Sequence, residues 1–198
     1  MIVELGDPDA VAAALAQLAP DEQVRAAALS ERRRADYIAG RTALRLALGD
    51  SPAILSDDRG APVLPAGWVG SVSHKGARAA ALVTPAGSGH VGVDLERAAS
   101  PRLDIARRIL TAREDAALPD RGRAVTLRFA IKEAIYKAID PYERRYVGFT
   151  EVELDFDLAG DAVTVTTALP YAIEATWREH AGHWLATARA TPRVASAR

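Results

Sequence analysis

The sequence predicts an α+β fold, and three observations lead there. Helical stretches gather in groups ahead of strands instead of alternating with them one for one, which speaks against a βαβ series. The early helical stretches, residues 9–18 and 21–29, are rich in alanine and leucine. The late strand candidates alternate: Val152, Leu154 and Phe156 share one face, and Val163 and Val165 share one face of the next. With 198 residues and 49% hydrophobic content, the chain can bury a core as two α+β lobes or one larger domain.

Taken in order, a longer helix follows over residues 30–48. Tyr37, Ile38, Leu44 and Leu48 recur there at near-helical spacing, and Gly49 stops it. Gly60-Ala61-Pro62 and Pro65-Ala66-Gly67 are turn material. Residues 78–84 read as a buried strand. The turn at Pro85–Gly89 then predicts a hairpin into a strand over residues 91–96. Thr111-Ala112-Arg113-Glu114 has the form of a capping box, with Thr111 capping a helix start and Glu114 reaching back. A helix over residues 121–139 comes next, and Pro141 is expected to end it. Strands are predicted over residues 150–156, 162–167 and 184–190.

Two segments carry the chemistry. On a strand, Asp94 and Glu96 of Gly92-Val93-Asp94-Leu95-Glu96 point one way, and Val91, Val93 and Leu95 point the other. On the helix Phe129-Ala130-Ile131-Lys132-Glu133-Ala134-Ile135-Tyr136-Lys137, Lys132, Glu133 and Lys137 fall within an arc of roughly 140°. Carboxylate oxygens suit a hard cation, and flanking ammonium groups suit the remaining charge of a polyphosphate. Each segment alone has a bland reading. Asp-x-Glu often lies on a solvated strand face, and Glu133 with Lys137 has the spacing of an ordinary helix ion pair worth about 0.3–0.5 kcal/mol. Their co-occurrence in this order is far more specific.

Together they resemble the signature pair of the 4′-phosphopantetheinyl transferases. Three further segments fit in family order: Arg33-Arg34-Ala35-Asp36-Tyr37-Ile38-Ala39-Gly40-Arg41, then Arg59-Gly60-Ala61-Pro62 with Gly70-Ser71-Val72-Ser73-His74, then Arg145-Tyr146-Val147-Gly148-Phe149. Ala130 stands where many members have serine, and Leu64 near where many have tryptophan. The resemblance implies two similar α/β lobes about a pseudo-twofold axis. Residues 1–88 would form the side that holds the coenzyme A nucleotide, and residues 89–198 would hold the magnesium site and catalytic helix. It also implies the activity, transfer of the phosphopantetheine arm of coenzyme A to a serine of an acyl or peptidyl carrier protein. A non-catalytic coenzyme A- or nucleotide-binding module of the same fold is the alternative. The intact acidic and basic residues speak against it.

On this reading Asp94, Glu96 and Glu133 are expected to ligate magnesium, and Glu133 is also the candidate base for the serine hydroxyl. Lys132 and Lys137 would neutralise the pyrophosphate. By resemblance Ser73 and His74 would take the ribose 3′-phosphate, with Arg33, Arg41 and Arg59 adding forked positive charge. A monomer is implied by the same resemblance.

Composition narrows the rest. A formal net charge of −1 gives no overall pull toward nucleic acid or an anionic membrane. There are no cysteines, which excludes disulfides, thiolate nucleophiles and cysteine-ligated zinc. No basic leader ahead of an apolar run and no long apolar stretch is evident, so a cytoplasmic protein is expected. The phosphate-binding patterns Gly-x-x-x-x-Gly-Lys-(Ser/Thr) and Gly-x-Gly-x-x-Gly do not occur.

Overall fold

A computed structural model describes residues 1–49, 51–102, 104–118, 121–156 and 162–193. The chain divides into two compact units, Met1–Ala86 and Gly87–Arg198. Both combine helices with antiparallel sheet, so the fold is α+β. No helix among the described residues is long and apolar enough to cross a membrane.

The first unit runs β1 (Ile2–Glu4), α1 (Pro8–Ala16), α2 (Pro20–Ala27), α3 (Glu31–Leu48), β2 (Trp68–Lys75) and β3 (Arg78–Pro85). Its three strands lie in the order β1-β3-β2, all antiparallel. Helix α3 lies on this sheet through Ala39, Ala43 and Leu44, which pack with Ile54, Ala79 and Ala81. Small residues on both surfaces allow close packing with little side-chain volume between them.

The second unit runs β4 (His90–Arg97), α4 (Ala106–Ile109), α5 (Ala112–Ala117), α6 (Arg123–Glu143), a 3₁₀ turn at Phe149–Glu151, then β5 (Val152–Phe156), β6 (Ala162–Thr167), β7 (Tyr171–His180) and β8 (His183–Pro192). The sheet order is β4-β8-β7-β6-β5, again antiparallel throughout. Helix α6 supplies Ala130, Ile131, Ala134, Ile135, Ala138 and Ile139 to the largest core, all fully buried against Trp184, Ala186 and Ala188 of β8.

Two expectations are corrected. Residues 78–84 and 91–96 do not form a hairpin: β3 pairs with β1 and β2, whereas β4 pairs with β8. The hairpin is β2–β3, closed where Lys75 pairs with Arg78. Pro141 does not end α6, which continues to Glu143. Proline removes one hydrogen bond, but packing of the next residue outweighs it, since the half-buried Tyr142 stacks on Tyr171 at 5.2 Å and meets His90 edge-on at 4.7 Å. The helix stops at Arg144, which adopts φ 47. Strand β7 was not foreseen, although Tyr171, Ile173, Ala175 and Trp177 alternate along it.

Each unit contains the same buried device. In the first, Glu22 is the third residue of α2 and is fully buried. Its Oε2 accepts from Ala19 N at 2.8 Å and from Arg45 of α3 at 3.3 Å, and its Oε1 accepts from Ile54 N at 3.0 Å. In the second, Glu114 is the third residue of α5. Its Oε2 accepts from Thr111 N and from Lys132 of α6, both at 2.7 Å, and its Oε1 accepts from Leu154 N at 3.0 Å. One carboxylate thus caps a short helix, pairs with a cation on the long helix, and satisfies a backbone N–H farther along the chain. Buried polar groups demand this degree of satisfaction. No sequence self-similarity announces the parallel beyond Leu18-Ala19-Pro20-Asp21-Glu22 and Leu110-Thr111-Ala112-Arg113-Glu114.

Glu114→Ala is expected to destabilise the protein by about 3–5 kcal/mol, because it leaves the Lys132 ammonium buried without its counter-charge. Replacing both partners, Glu114→Leu with Lys132→Met, should recover most of that loss in urea unfolding. Additive losses in the double variant would rule the coupling out.

Candidate active site

The site begins with a glycine. Gly92 lies on β4 beneath α6, and a Cβ there would overlap the Ala134 carbonyl and crowd Ala138 N. Helix backbone therefore rests directly on strand backbone, which only glycine permits. Two and four residues on, Asp94 and Glu96 point to the same face as Gly92. That face is covered by α6, so Asp94 is 5% exposed and the bland reading of a solvated strand face does not hold for it. Leu95, on the opposite face, is buried as well.

The close contact brings Lys137 to the strand. Its ammonium donates to Asp94 Oδ1 at 2.7 Å and to Val93 O at 3.0 Å. This is a partly buried, charge-assisted contact between elements, and not the helix-surface pair with Glu133 that the spacing alone allowed. Glu133 lies one turn earlier, and its carboxylate makes no hydrogen bond among the described residues. Burial, and then the charges of Asp94 and Glu96, push its carboxyl above the usual carboxylate range, while Lys137 and Arg108 oppose the shift. Three carboxylates and one ammonium thus act on one another at the β4–α6 contact. Among the described residues, no three His, Cys, Asp or Glu side chains converge closely enough to form a ready metal cage. Like charges resist convergence when nothing lies between them, and Asp94 Oδ1 is already held by Lys137.

Lys132 goes elsewhere. At about 100° per residue it stands about 100° from Glu133, whereas Lys137 stands only about 40° from it, so the single arc divides into two faces. The Lys132 side chain is 1% exposed, donating to Glu114 and to Ile109 O at 2.8 Å. Burial lowers its pKa and Glu114 counters. The structure does not bring Lys132 to Asp94 and Glu133. Its partner was legible as the glutamate of the Thr111–Glu114 capping box, but nothing in that motif says its second oxygen faces a lysine.

The first unit carries the other candidates. Arg41 is buried, donating to Ile54 O and to Ser56 Oγ, with its guanidinium 4.6 Å from the Tyr37 ring centre. Arg33 is exposed on α3, and Arg59 is exposed in the Asp57–Gly60 turn. Ser73 and His74 are consecutive on β2, so their side chains leave opposite faces of the sheet, and a shared grip on one phosphate by both is not what the strand geometry favours. His74 Nδ1 lies 3.3 Å from Asp36 Oδ1, a partner inside the arginine-rich segment that sequence reasoning passed over.

Comparison with known proteins bears on this arrangement. The family model of the 4′-phosphopantetheinyl transferase superfamily matches residues 90–189, half of the chain, and includes β4 and α6. A second model, the 4′-phosphopantetheinyl transferase N-terminal domain, matches residues 19–84. The chain belongs to the 4′-phosphopantetheinyl transferase superfamily. Among relatives of this superfamily, the 4′-phosphopantetheinyl transferase Npt of Nocardia iowensis is 38% identical over 152 residues, 70% of this chain and 66% of that protein. The 4′-phosphopantetheinyl transferase PptT of Mycobacterium tuberculosis is 33% identical over 147 residues, 70% of this chain and 65% of that protein. The chain therefore spans just under two thirds of the length of each. A crystal structure of Thermotoga maritima holo-[acyl-carrier-protein] synthase aligns with a TM-score of 0.42 and 24% identity, covering 54% of this chain and 64% of that one.

Gly92→Ala should destabilise by about 1–3 kcal/mol, since backbone on both sides must move. Gly40→Ala meets only the Val72 Cγ2 methyl at 3.2 Å and should cost less, helped by higher helix propensity. Equal losses in denaturant titrations would argue against backbone contact at Gly92.

Glu133 also links stability to pH. Its folded pKa is raised above the ordinary 4.5, so the folded state carries an ionisation penalty at every pH above the folded value. Below the unfolded value both states are protonated and the penalty vanishes. Glu133→Gln should therefore raise Tm at neutral pH in chelator, with the gain fading as pH falls through the raised value to below 4.5. A gain independent of pH would contradict the shift.

Proposed function

We propose that the chain transfers the phosphopantetheine arm of coenzyme A to a serine of an apo carrier protein and releases adenosine 3′,5′-bisphosphate. One observation carries the reading. The two segments that the family resemblance singles out meet across Gly92, with Lys137 on Asp94 at 2.7 Å and Glu133 in the field of both acids. Membership of the superfamily supports it.

The serine oxygen attacks the β-phosphorus, the bond from that phosphorus to the bridging oxygen breaks, and the bridging oxygen leaves with the adenosine bisphosphate. Such transfers depend on positioning and charge neutralisation more than on covalent help. The serine proton passes to Glu133. A carboxyl raised by burial and neighbouring acids is a stronger base than a solvated one, which suits removal of a hydroxyl proton near neutral pH. Lys137 fixes Asp94 in place and keeps positive charge beside the reacting phosphate.

Asp94, Glu96 and Glu133 would hold magnesium. The donor set fits that ion: all are carboxylate oxygens, and water and substrate phosphate would complete the shell around whichever of them bind directly, so a preformed three-ligand cage is not needed. When bound, the ion supplies Lewis-acid stabilisation of the phosphate oxygens. On the first unit, His74 remains a candidate for the 3′-phosphate, with Ser73, Arg33, Arg41 and Arg59 as further ones.

The test is mass spectrometry of apo carrier protein incubated with the chain, coenzyme A and magnesium, where a gain of one phosphopantetheine arm is expected. Asp94→Ala should lower the rate several-hundred-fold or more, about 3–4 kcal/mol of transition-state stabilisation. No modified carrier from the parent chain, or near-normal turnover in the variant with saturating magnesium, would refute the assignment.

A further inference from the structure

Two ties bind α6 to the first half of the carboxylate strand: the backbone contact of Gly92 with Ala134, and the Lys137 ammonium on Val93 O and Asp94. A third tie lies beyond the strand's other end. Strand β4 finishes at Arg97, after which Ala98 N donates to Gly182 O at 2.9 Å and Ala99 N turns back onto Arg97 O at 2.8 Å. Ala99 O then accepts from Thr126 Oγ1 of α6 at 2.7 Å. Glu96 lies between these ties, two residues after Asp94 and three before Ala99.

Thr126 is the fourth residue of α6 and is 6% exposed. Threonine is a weak helix former, and inside a helix its hydroxyl ordinarily returns to a carbonyl of the preceding turn. Here it leaves the helix for a carbonyl 27 residues away. Valine would fill the same space with the same branching, so packing does not call for the hydroxyl. A strand end held only through its sheet frays, and Glu96 is nearer that end than Asp94.

We propose that Thr126 is a positioning residue: it pins the outgoing end of β4 to α6, and so holds Glu96 beside Asp94 as a ligand for a divalent cation. The inference rests on the magnesium reading above.

Manganese shares magnesium's preference for oxygen ligands and can be followed by electron paramagnetic resonance. It is titrated, with coenzyme A present, onto the parent chain, Thr126→Val, Thr126→Ser, Glu96→Ala and the double variant Thr126→Val with Glu96→Ala. Thr126→Val should weaken manganese binding by about tenfold, as loss of an outer contact does at a metal site. Thr126→Ser, which keeps the hydroxyl, should bind like the parent. In the Glu96→Ala background Thr126→Val should have no further effect, because its influence passes through Glu96. Equal losses in both backgrounds would mark a general structural role and overturn the proposal. So would parent-like affinity in Thr126→Val, or a serine variant as weak as the valine one. Amide exchange without metal gives a second readout: residues 95–99 should exchange faster in Thr126→Val than in the parent, and residues 134–139 should not. Unchanged exchange over 95–99 overturns the pinning. A parent chain that takes up no manganese would end the magnesium reading and with it the role of Glu96, and the exchange comparison would still decide whether Thr126 holds the strand.

Discussion

The contact of α6 backbone on β4 at Gly92 is the constraint on which the second unit depends. It sets the distance between helix and strand, and that distance decides which side chains can meet. Lys137 reaches both Val93 O and Asp94 only because no Cβ separates the two elements. The same closeness desolvates Glu133 and exposes it to the charges of Asp94 and Glu96. Packing and electrostatics are here one fact. A helix standing a methyl group farther away would leave an ordinary surface ion pair and two solvated acids.

The two lysines of α6 illustrate how one helix serves two purposes. Lys137, on the strand side, carries charge into the site. Lys132, on the flank toward α4 and α5, joins an internal network with Glu114. A buried ion pair of this kind is weak evidence for stability in itself, because desolvation offsets much of the attraction. What it supplies is registry: a misplaced α5 would leave both charges in an apolar interior. Glu22 with Arg45 does the same in the first unit, though Arg45 remains partly exposed and the pairing is looser, at 3.3 Å.

Much of this was legible in the residues, for definable reasons. Alternation in Val152, Leu154 and Phe156 marks a strand whose one face is buried, and β5 is there. The Thr111–Glu114 box names a helix start because its two hydrogen bonds are local, and both are formed. Asp94, Glu133 and Lys137 were readable as one group from the family pattern. Long-range choices were not. Nothing local told Lys132 to face Glu114 instead of the acids, or told β4 to pair with β8 instead of β3. Consecutive residues such as Ser73 and His74 look like one motif in sequence, and a strand sends them to opposite faces. Pro141 misled because a proline near a helix end costs one hydrogen bond, and the packing of the half-buried Tyr142 behind it on Tyr171 and His90 outweighs that.

The order of strands in the second sheet has a temporal meaning. Within that sheet β4 has a single neighbour, β8, with His90 opposite Ala190. During synthesis on a ribosome the strand bearing Asp94 and Glu96 leaves the exit tunnel about a hundred residues ahead of that partner. Until then its backbone has no ladder to join, and α6 has only half a surface to rest on. The carboxylate strand is thus among the first parts of the unit to be made and among the last to be secured. Assembly of the site must wait for translation through Pro192.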